Sequence, residues 1–193
     1  MPRGQYQREL PSVVVNMSDV FESYLRRVLT ASARKGAWPL MVLDGNKAPP
    51  AGGKGEVFDS GEEVVATPDI VIRRSQTAQS PSSVIVEVKY KPVKARPSRH
   101  DLNQAITYGF AYGAEHVVLA LPRPAFGGPT HGLGYLGQIS NLNVWQYVFD
   151  LNAVDLIEEE RLWADRIRSL TRVLDILSGI SVGSVSRVDS DSR

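Results

Sequence analysis

The sequence contains no cysteine among its 193 residues. This absence excludes thiol nucleophiles, disulfides, iron–sulfur clusters and zinc sites built from cysteine. The sequence also has no apolar run close to the roughly 18 residues that suggest a membrane span. Its N-terminus, MPRGQYQREL, lacks an apolar core of signal-peptide length. We therefore expect a soluble, cytoplasmic protein with no membrane contact.

The sequence has no strong excess of either charge. It contains 22 Lys and Arg against 21 Asp and Glu, for a formal net charge of +1. Overall charge therefore predicts neither nucleic-acid nor membrane attachment, and any such attraction must be local. The length fits one domain, since domains commonly have ~100–200 residues. We predict one domain over residues 1–180 and a disordered tail over residues 181–193.

Hydrophobic periodicity predicts alternating helices and strands. Asn16 can cap a first helix, whose apolar stripe consists of Val20, Phe21, Tyr24, Leu25, Val28 and Leu29. A later helix should begin after Ser98 and run to residue 113, with Phe110 among its core residues. We expect the edge strands of hairpins within residues 36–63. Four further strands are predicted, over residues 64–72, 84–90, 116–121 and 144–151, and Pro68 should interrupt the first of them. Residues 122–137 are predicted as a Gly/Pro-rich connection and residues 157–178 as a long helix.

Several motifs of known chemistry find little support. Residues 132–137 spell GxGxxG, but a Pro-rich loop precedes them and a strand-like segment follows, so a dinucleotide site is not expected. The glycines around Lys54 lack the ending of a phosphate-binding P-loop. The three histidines have no metal-ligand spacing, and no GxSxG motif indicates a serine hydrolase.

Charged residues inside two apolar strands form the strongest candidate site. Pairing that sets Ile72 opposite Val84 would also set Asp69 opposite Glu87, and Lys89 lies on the same face as Glu87. Two buried carboxylates repel each other unless a cation neutralises them, and Mg²⁺, with Mn²⁺ as a possible substitute, takes such ligands. Asp69 and Glu87 would then hold the metal while Lys89 stabilises charge during phosphodiester hydrolysis. The alternative is a structural ion pair of Lys89 with either acid at the sheet edge.

Basic residues follow this site without an intervening acid. The predicted DNA contacts are Lys91, Lys94, Arg96, Arg99 and, on the next helix, Tyr108. The alternatives are a solvated loop for the basic residues and a core-edge position for the tyrosine. Glu22 either completes the metal shell or pairs with Arg26 at i, i+4 on the first helix.

These motifs, in this order, resemble the PD-(D/E)XK nuclease superfamily and, within it, the McrC-like nuclease domain. The matching segments are NMSDVFESYL at 16–25, PDIVI at 68–72, EVKYK at 87–91 and DLNQ at 101–104 with Ala105 to Tyr108. The resemblance covers residues 13–151. One departure is that Glu87 stands where McrC-like domains often have Asp.

The resemblance implies an α/β fold with a restriction-endonuclease-like core, in which a mixed β-sheet is flanked by α-helices. It implies a catalytic group of Glu22, Asp69, Glu87 and Lys89, with Glu22 as a third metal ligand and Gln104 as an auxiliary residue. The implied function is Mg²⁺-dependent cleavage of DNA in restriction or defence.

A McrB-like AAA GTPase motor is the partner that the resemblance implies. Little sequence precedes the first helix, so we expect the N-terminal region that engages this motor to be absent, which leaves dependence on the motor open. A homodimer is a further hypothesis, because endonucleases that cut both strands commonly pair two sites. The alternative function is a catalytically inactive DNA-binding or assembly module that retains the nuclease fold.

Overall fold

A computed structural model describes residues 14–47, 55–58, 60–74, 82–91, 96–124 and 130–178. Lys54 and the two glycines before it, the predicted DNA contact Lys94 and the predicted tail at 181–193 lie outside the described residues, whereas Gly55 is described and begins a strand. The helices are α1 (Met17–Lys35), α2 (Arg99–Ala111) and α3 (Leu156–Ser178). The strands are β1 (Leu40–Asp44), β2 (Gly55–Glu56), β3 (Val65–Ala66), β4 (Ile70–Arg74), β5 (Ser82–Val88), β6 (His116–Pro122), β7 (Gly132–Ile139) and β8 (Leu142–Phe149).

Side-chain caps set the beginnings of the first two helices. The side chain of Asn16 accepts a hydrogen bond from the backbone N–H of Ser18 at 3.1 Å, and Ser98 accepts one from the N–H of Asp101 at 3.2 Å. These bonds satisfy amide groups that a helix leaves free in its first turn. Both predicted caps are confirmed.

The main sheet has six strands in the order β1-β4-β5-β6-β8-β7. Strands β1, β4 and β5 pair antiparallel, β5 with β6 and β6 with β8 pair parallel, and β7 closes the sheet antiparallel to β8. Strands β2 and β3 form a separate two-stranded sheet. The six-stranded sheet is therefore mixed.

The three helices cover the two faces of this sheet. Helices α1 and α3 pack on one face around Leu25, Phe149 and Trp163, and α2 packs on the other around Ile85, Ala105 and Leu119. Because strand side chains alternate between faces, neighbouring residues of β5 serve opposite cores. The predicted α/β fold, with a mixed sheet flanked by helices as in a restriction-endonuclease-like core, is confirmed.

Three local predictions were wrong. Residues 132–139 form strand β7 rather than a connection; Leu133 and Tyr135 pair with β8, and Ser140 turns the chain at a φ of 52°. Val20 is exposed because it lies about 100° around the helix from Phe21, outside the stripe that faces the sheet. Phe110 is likewise exposed, since α2 faces the sheet through Ala105 and Gly109.

The predicted strand at 64–72 occurs as two strands. Residues 67–69 separate β3 from β4, and Pro68 accounts for the break because it has no N–H to donate to a strand partner. Within the described ranges, no helix has the length and apolarity needed to cross a membrane.

Candidate active site

The hairpin of β4 and β5 brings two carboxylates together at one end of the sheet. Ile72 pairs with Val84 and Ile70 with Val86, as predicted, and Asp69 directly precedes β4. The Asp69 carboxylate accepts a hydrogen bond from the backbone N–H of Val88 through Oδ2 at 2.6 Å. This bond holds Asp69 beside the end of β5, next to Glu87.

Lys89 connects this hairpin to helix α2. Its ammonium group donates to Glu87 Oε1 at 2.6 Å and to Gln104 Oε1 at 3.0 Å. The amide of Gln104 in turn donates to the hydroxyl of Tyr108 at 3.2 Å. Since Glu87, Lys89 and Gln104 all lie on the α2 side of the sheet, the structure brings these predicted site residues into one hydrogen-bonded chain.

The carboxylate pair is electrostatically strained. Glu87 is 2% exposed. Burial, followed by repulsion from Glu87, raises the pKa of Asp69 to about 7, although the Val88 N–H bond opposes the shift. Burial also raises the pKa of Glu87, against the stabilising bond from Lys89. Burial opposes the charge on Lys89, but the bond and attraction from Glu87 outweigh it and raise the pKa of the lysine.

Glu22 lies at the margin of this pair and is held by Arg26. Arg26 donates to Glu22 Oε1 at 2.5 Å, so the i, i+4 ion pair that was the alternative to a metal role for Glu22 forms. The negative charge of Glu22 nevertheless raises the pKa values of Asp69 and Glu87, which places Glu22 within electrostatic reach of both. The ion pair and the proximity to the site therefore occur together.

The carboxylate pair fits a divalent cation that takes few protein ligands. Among the residues that the structure describes, no group of three or more His, Asp or Glu side chains is arranged around a common ion position. However, Glu87 Oε2 is buried and has no hydrogen-bond partner. A buried oxygen without a partner is costly, and Mg²⁺ typically uses only one or two carboxylates together with water and substrate phosphates.

The basic residues after β5 are in different environments. Lys91 forms an ion pair with Asp101, which is 1% exposed and also accepts a hydrogen bond from the Ser98 hydroxyl at 2.6 Å. Arg96 and Arg99 are exposed near the start of α2. Lys91 is thus tied to the helix, while the two arginines face solvent.

The sequence analysis considered Arg26 only as a partner of Glu22 and missed its contacts with β1 and with the residue before β4. Arg26 also contacts Asp44 at 3.1 Å and the backbone oxygen of Asp69 at 3.4 Å. The sequence feature that could have indicated this contact is Asp44, an acid that directly follows the apolar residues of β1. Its partner could not be identified without knowing that α1 packs beside β1.

A comparison with protein-family models identifies a family for this chain. A family model described as the McrBC 5-methylcytosine restriction system component matches residues 1–122, which include every candidate site residue from Glu22 to Tyr108. No curated protein matches the chain in sequence.

One solved assembly contains a chain of similar fold. It is the tetradecameric assembly of Thermococcus gammatolerans McrB AAA+ hexamers with bound McrC, and the similarity has a TM-score of 0.58 at 22% sequence identity. The aligned region covers 81% of the present chain and 34% of the chain in that assembly. The present chain therefore spans about a third of the length of that protein.

Proposed function

Because this chain belongs to the McrBC 5-methylcytosine restriction system component family, we propose that it is a Mg²⁺-dependent DNA endonuclease of the McrC-like, PD-(D/E)XK type. It would hydrolyse phosphodiester bonds in restriction of foreign DNA. The observation that carries this proposal is the half-buried Asp69 beside the buried Glu87, with the Lys89 ammonium hydrogen-bonded to Glu87. Costly charges gathered at one point are typical of functional sites.

In this proposal Asp69 and Glu87 hold the metal, and Mn²⁺ can replace Mg²⁺. Glu22 is also proposed as a third ligand; it is paired with Arg26 in this structure and is not arranged with the two acids around a common ion position, so it would have to reorient to reach the metal. The unpartnered Glu87 Oε2 supports the assignment because a cation would satisfy it. When bound, Mg²⁺ polarises a phosphoryl oxygen and neutralises the charge that develops there.

Of the remaining site residues, one stabilises the negative charge that develops on the phosphate, and the others hold that residue in place. Lys89 presents an ammonium group beside the acids and can donate to a phosphate oxygen as negative charge develops on it. Gln104 holds Lys89 from the α2 side at 3.0 Å, and Tyr108 holds Gln104. This chain of bonds restrains the lysine, so little reorganisation is needed during the reaction.

We propose that DNA lies across the start of α2. Arg96 and Arg99 are exposed there and can contact phosphates, with Lys94 preceding them in the sequence. Lys91 and Tyr108 would contribute from positions restrained by Asp101 and Gln104. Phosphate contacts of this kind position the duplex without reading its sequence.

A McrB-like AAA+ protein is the proposed partner. Support comes from the solved assembly, whose description names McrB AAA+ hexamers with bound McrC. A homodimer that pairs two active sites is also proposed for double-strand cleavage. Light scattering with and without DNA tests it, and a monomer mass under both conditions would contradict it.

The proposed activity can be tested with supercoiled plasmid and Mg²⁺, for the chain alone and together with a McrB-like partner. Asp69→Asn and Lys89→Met should each slow cleavage by roughly 10²-fold or more, because each removes charge stabilisation at the reacting phosphate. The controls Asp165→Asn and Lys35→Met change the same residue types at exposed helix positions and should cleave like wild type. DNA binding without cleavage by the wild type in both settings would instead support the inactive binding module.

A further inference from the structure

Tyr90 is an exposed aromatic residue that directly follows Lys89 of the candidate site. It lies just past the end of β5 and is 39% exposed, whereas Glu87 and Val88 at the end of that strand are buried. The backbone N–H of Lys89 donates to the Ala120 oxygen of β6 at 2.9 Å, so the chain stays attached to the sheet as far as the lysine. Tyr90 is therefore the first residue beyond the sheet at the end that carries the acids.

The backbone on both sides of Tyr90 is held in place. The N–H of Lys91 donates to the Lys89 oxygen at 3.1 Å, which closes a three-residue turn with Tyr90 at its centre. The side chain of Lys89 donates to Gln104 of α2 at 3.0 Å. The side chain of Lys91 forms an ion pair with Asp101, also of α2. These contacts fix the position from which the Tyr90 ring projects.

The Tyr90 ring lies on the opposite side of the sheet from the two lysine side chains. It packs against Phe21 of α1, with ring centroids 5.7 Å apart and ring planes inclined at 60°. Phe21 is 2% exposed and contacts the buried Phe149 with centroids 6.2 Å apart. The core on the α1 side thus supports an aromatic ring that remains partly open to solvent.

A ring fixed in this way suits an unpaired nucleotide base. Proteins bind unpaired bases by stacking them on aromatic side chains, and this stacking accepts any base because each has a π-face. A side chain already restrained by its neighbours loses little freedom on binding. Bases inside a duplex are stacked on one another, so the ring of Tyr90 could stack only on a base that is unpaired or displaced from the helix.

The surroundings of Tyr90 favour a nucleotide over another occupant. Arg96 and Arg99 are exposed on the α2 side of the candidate site, Tyr90 is exposed on the α1 side, and Lys89 lies between them. A strand that places a phosphate at Lys89 can therefore extend towards the arginines in one direction and towards the ring in the other.

Building on the proposed nuclease function, we propose that Tyr90 stacks on an unpaired base next to the scissile phosphate, so that the site favours DNA that is locally unpaired. The arginines and lysines supply contacts to the phosphates, which are the same in paired and unpaired DNA. Tyr90 supplies the contact that distinguishes the two. It is a substrate-binding residue in this scheme and takes no part in the transfer of charge.

Fluorescence anisotropy with two labelled duplexes, in EDTA to withhold the metal, tests this inference without relying on cleavage. One duplex is fully paired, and the other has the same length with a short internal bubble of mispaired thymines. Wild type should bind the bubble duplex roughly tenfold more tightly, which is the order of the contribution of one stacked base. Tyr90→Leu keeps an apolar side chain over Phe21 but has no aromatic face, and it should lose this preference. Tyr90→Met is a second non-aromatic variant with the same expected result.

Two control variants retain what the inference requires. Tyr90→Phe keeps the ring and should keep the preference for the bubble. Tyr135→Leu should keep it as well, because Tyr135 is an exposed tyrosine on edge strand β7, packed against Trp145 with centroids 4.8 Å apart and separated from β5 by two strands. Thermal unfolding establishes that each variant is folded.

Several outcomes would overturn the inference. Equal binding of the two duplexes by wild type would do so, as would a preference that survives in folded Tyr90→Leu or Tyr90→Met, which would leave Tyr90 as a cover for Phe21. Loss of the preference in Tyr90→Phe or in Tyr135→Leu would show that the aromatic face of Tyr90 is not its source. Failure of the nuclease proposal is a separate result, in which plasmid stays intact with Mg²⁺ while the Tyr90-dependent preference for the bubble persists.

Discussion

At the scale of single residues, the arrangement of Asp69, Glu87 and Lys89 was predictable because it depends on local rules. Alternation along β5 puts Glu87 and Lys89 on one face, and the Ile72–Val84 register brings Asp69 alongside. The contact between Arg26 and Asp44 was not predictable, since it depends on how α1 docks beside β1. Long-range packing, rather than sequence spacing, determines that contact.

His116 provides a residue-scale prediction about pH. Its ring is buried, which lowers its pKa below the ordinary 6.5, and its Nδ1 accepts a hydrogen bond from the indole N–H of Trp145 at 3.1 Å. The folded state therefore binds a proton less readily than the unfolded chain does. The stability due to neutral His116 is present above pH 6.5 and is lost as the pH falls below that value.

The test compares the unfolding free energies of wild type and His116→Asn between pH 7.5 and 5, a range chosen to span roughly the titration of an unfolded histidine. Asparagine can accept the Trp145 bond but does not titrate in this range. The wild type should lose stability more steeply on acidification, by up to about 1.4 kcal/mol per pH unit. Parallel curves would contradict the prediction.

At the scale of elements, helices were predicted better than the glycine-rich strand. The caps at Asn16 and Ser98 have side-chain signatures, whereas β7 has three glycines that resemble loop composition. What makes residues 132–139 a strand is pairing with β8 along its length. Tyr135 also packs against Trp145 with ring centroids 4.8 Å apart, a cross-strand contact that composition does not reveal.

The turn that carries Asp69 depends on a close approach to Gly45. A Cβ atom added at Gly45 would lie 1.9 Å from the backbone oxygen of Pro68, so this turn would have to move. Gly45→Ala should destabilise the protein by about 1–3 kcal/mol and reduce Mg²⁺ affinity, since Asp69 would be displaced with the turn.

Gly134→Ala is the matched control for that substitution. A Cβ atom there would meet its nearest neighbour, the Gln146 backbone oxygen, at 3.9 Å, which is an ordinary contact. Chemical denaturation and Mg²⁺ titration of both variants provide the measurement. Comparable behaviour of the two alanine variants would show that the Gly45–Pro68 contact is unimportant.

At the scale of the whole molecule, the sequence indicated the α/β class through alternating elements but not the order of the strands. The parallel pairing of β6 with both β5 and β8 places the carboxyl ends of all three strands at the same end of the sheet. Lys89, which follows β5, meets Gln104 of α2 at this end of the sheet, although 15 positions separate the two residues in the sequence. Only the tertiary packing brings those segments together.

Metal binding should stabilise the entire fold if the carboxylate pair holds Mg²⁺. A ligand that binds only the folded state at ten times its dissociation constant adds about 1.4 kcal/mol to the unfolding free energy. Thermal unfolding of wild type should therefore shift upward as Mg²⁺ is added. The doubly substituted protein, Asp69→Asn with Glu87→Gln, should show no such shift, and an equal shift in it would place the ion elsewhere.

The hydrogen bonds around the two acids also limit which ion the pair can prefer. Asp69 Oδ2 accepts a hydrogen bond from the Val88 N–H and Glu87 Oε1 accepts one from Lys89, and these bonds favour monodentate coordination through the other oxygen of each acid. Ca²⁺ favours six to eight oxygen ligands, often with bidentate carboxylates, whereas a small octahedral ion accepts monodentate acids and keeps its water. The selectivity for Mg²⁺ or Mn²⁺ over Ca²⁺ would thus follow from backbone and lysine contacts that restrict denticity.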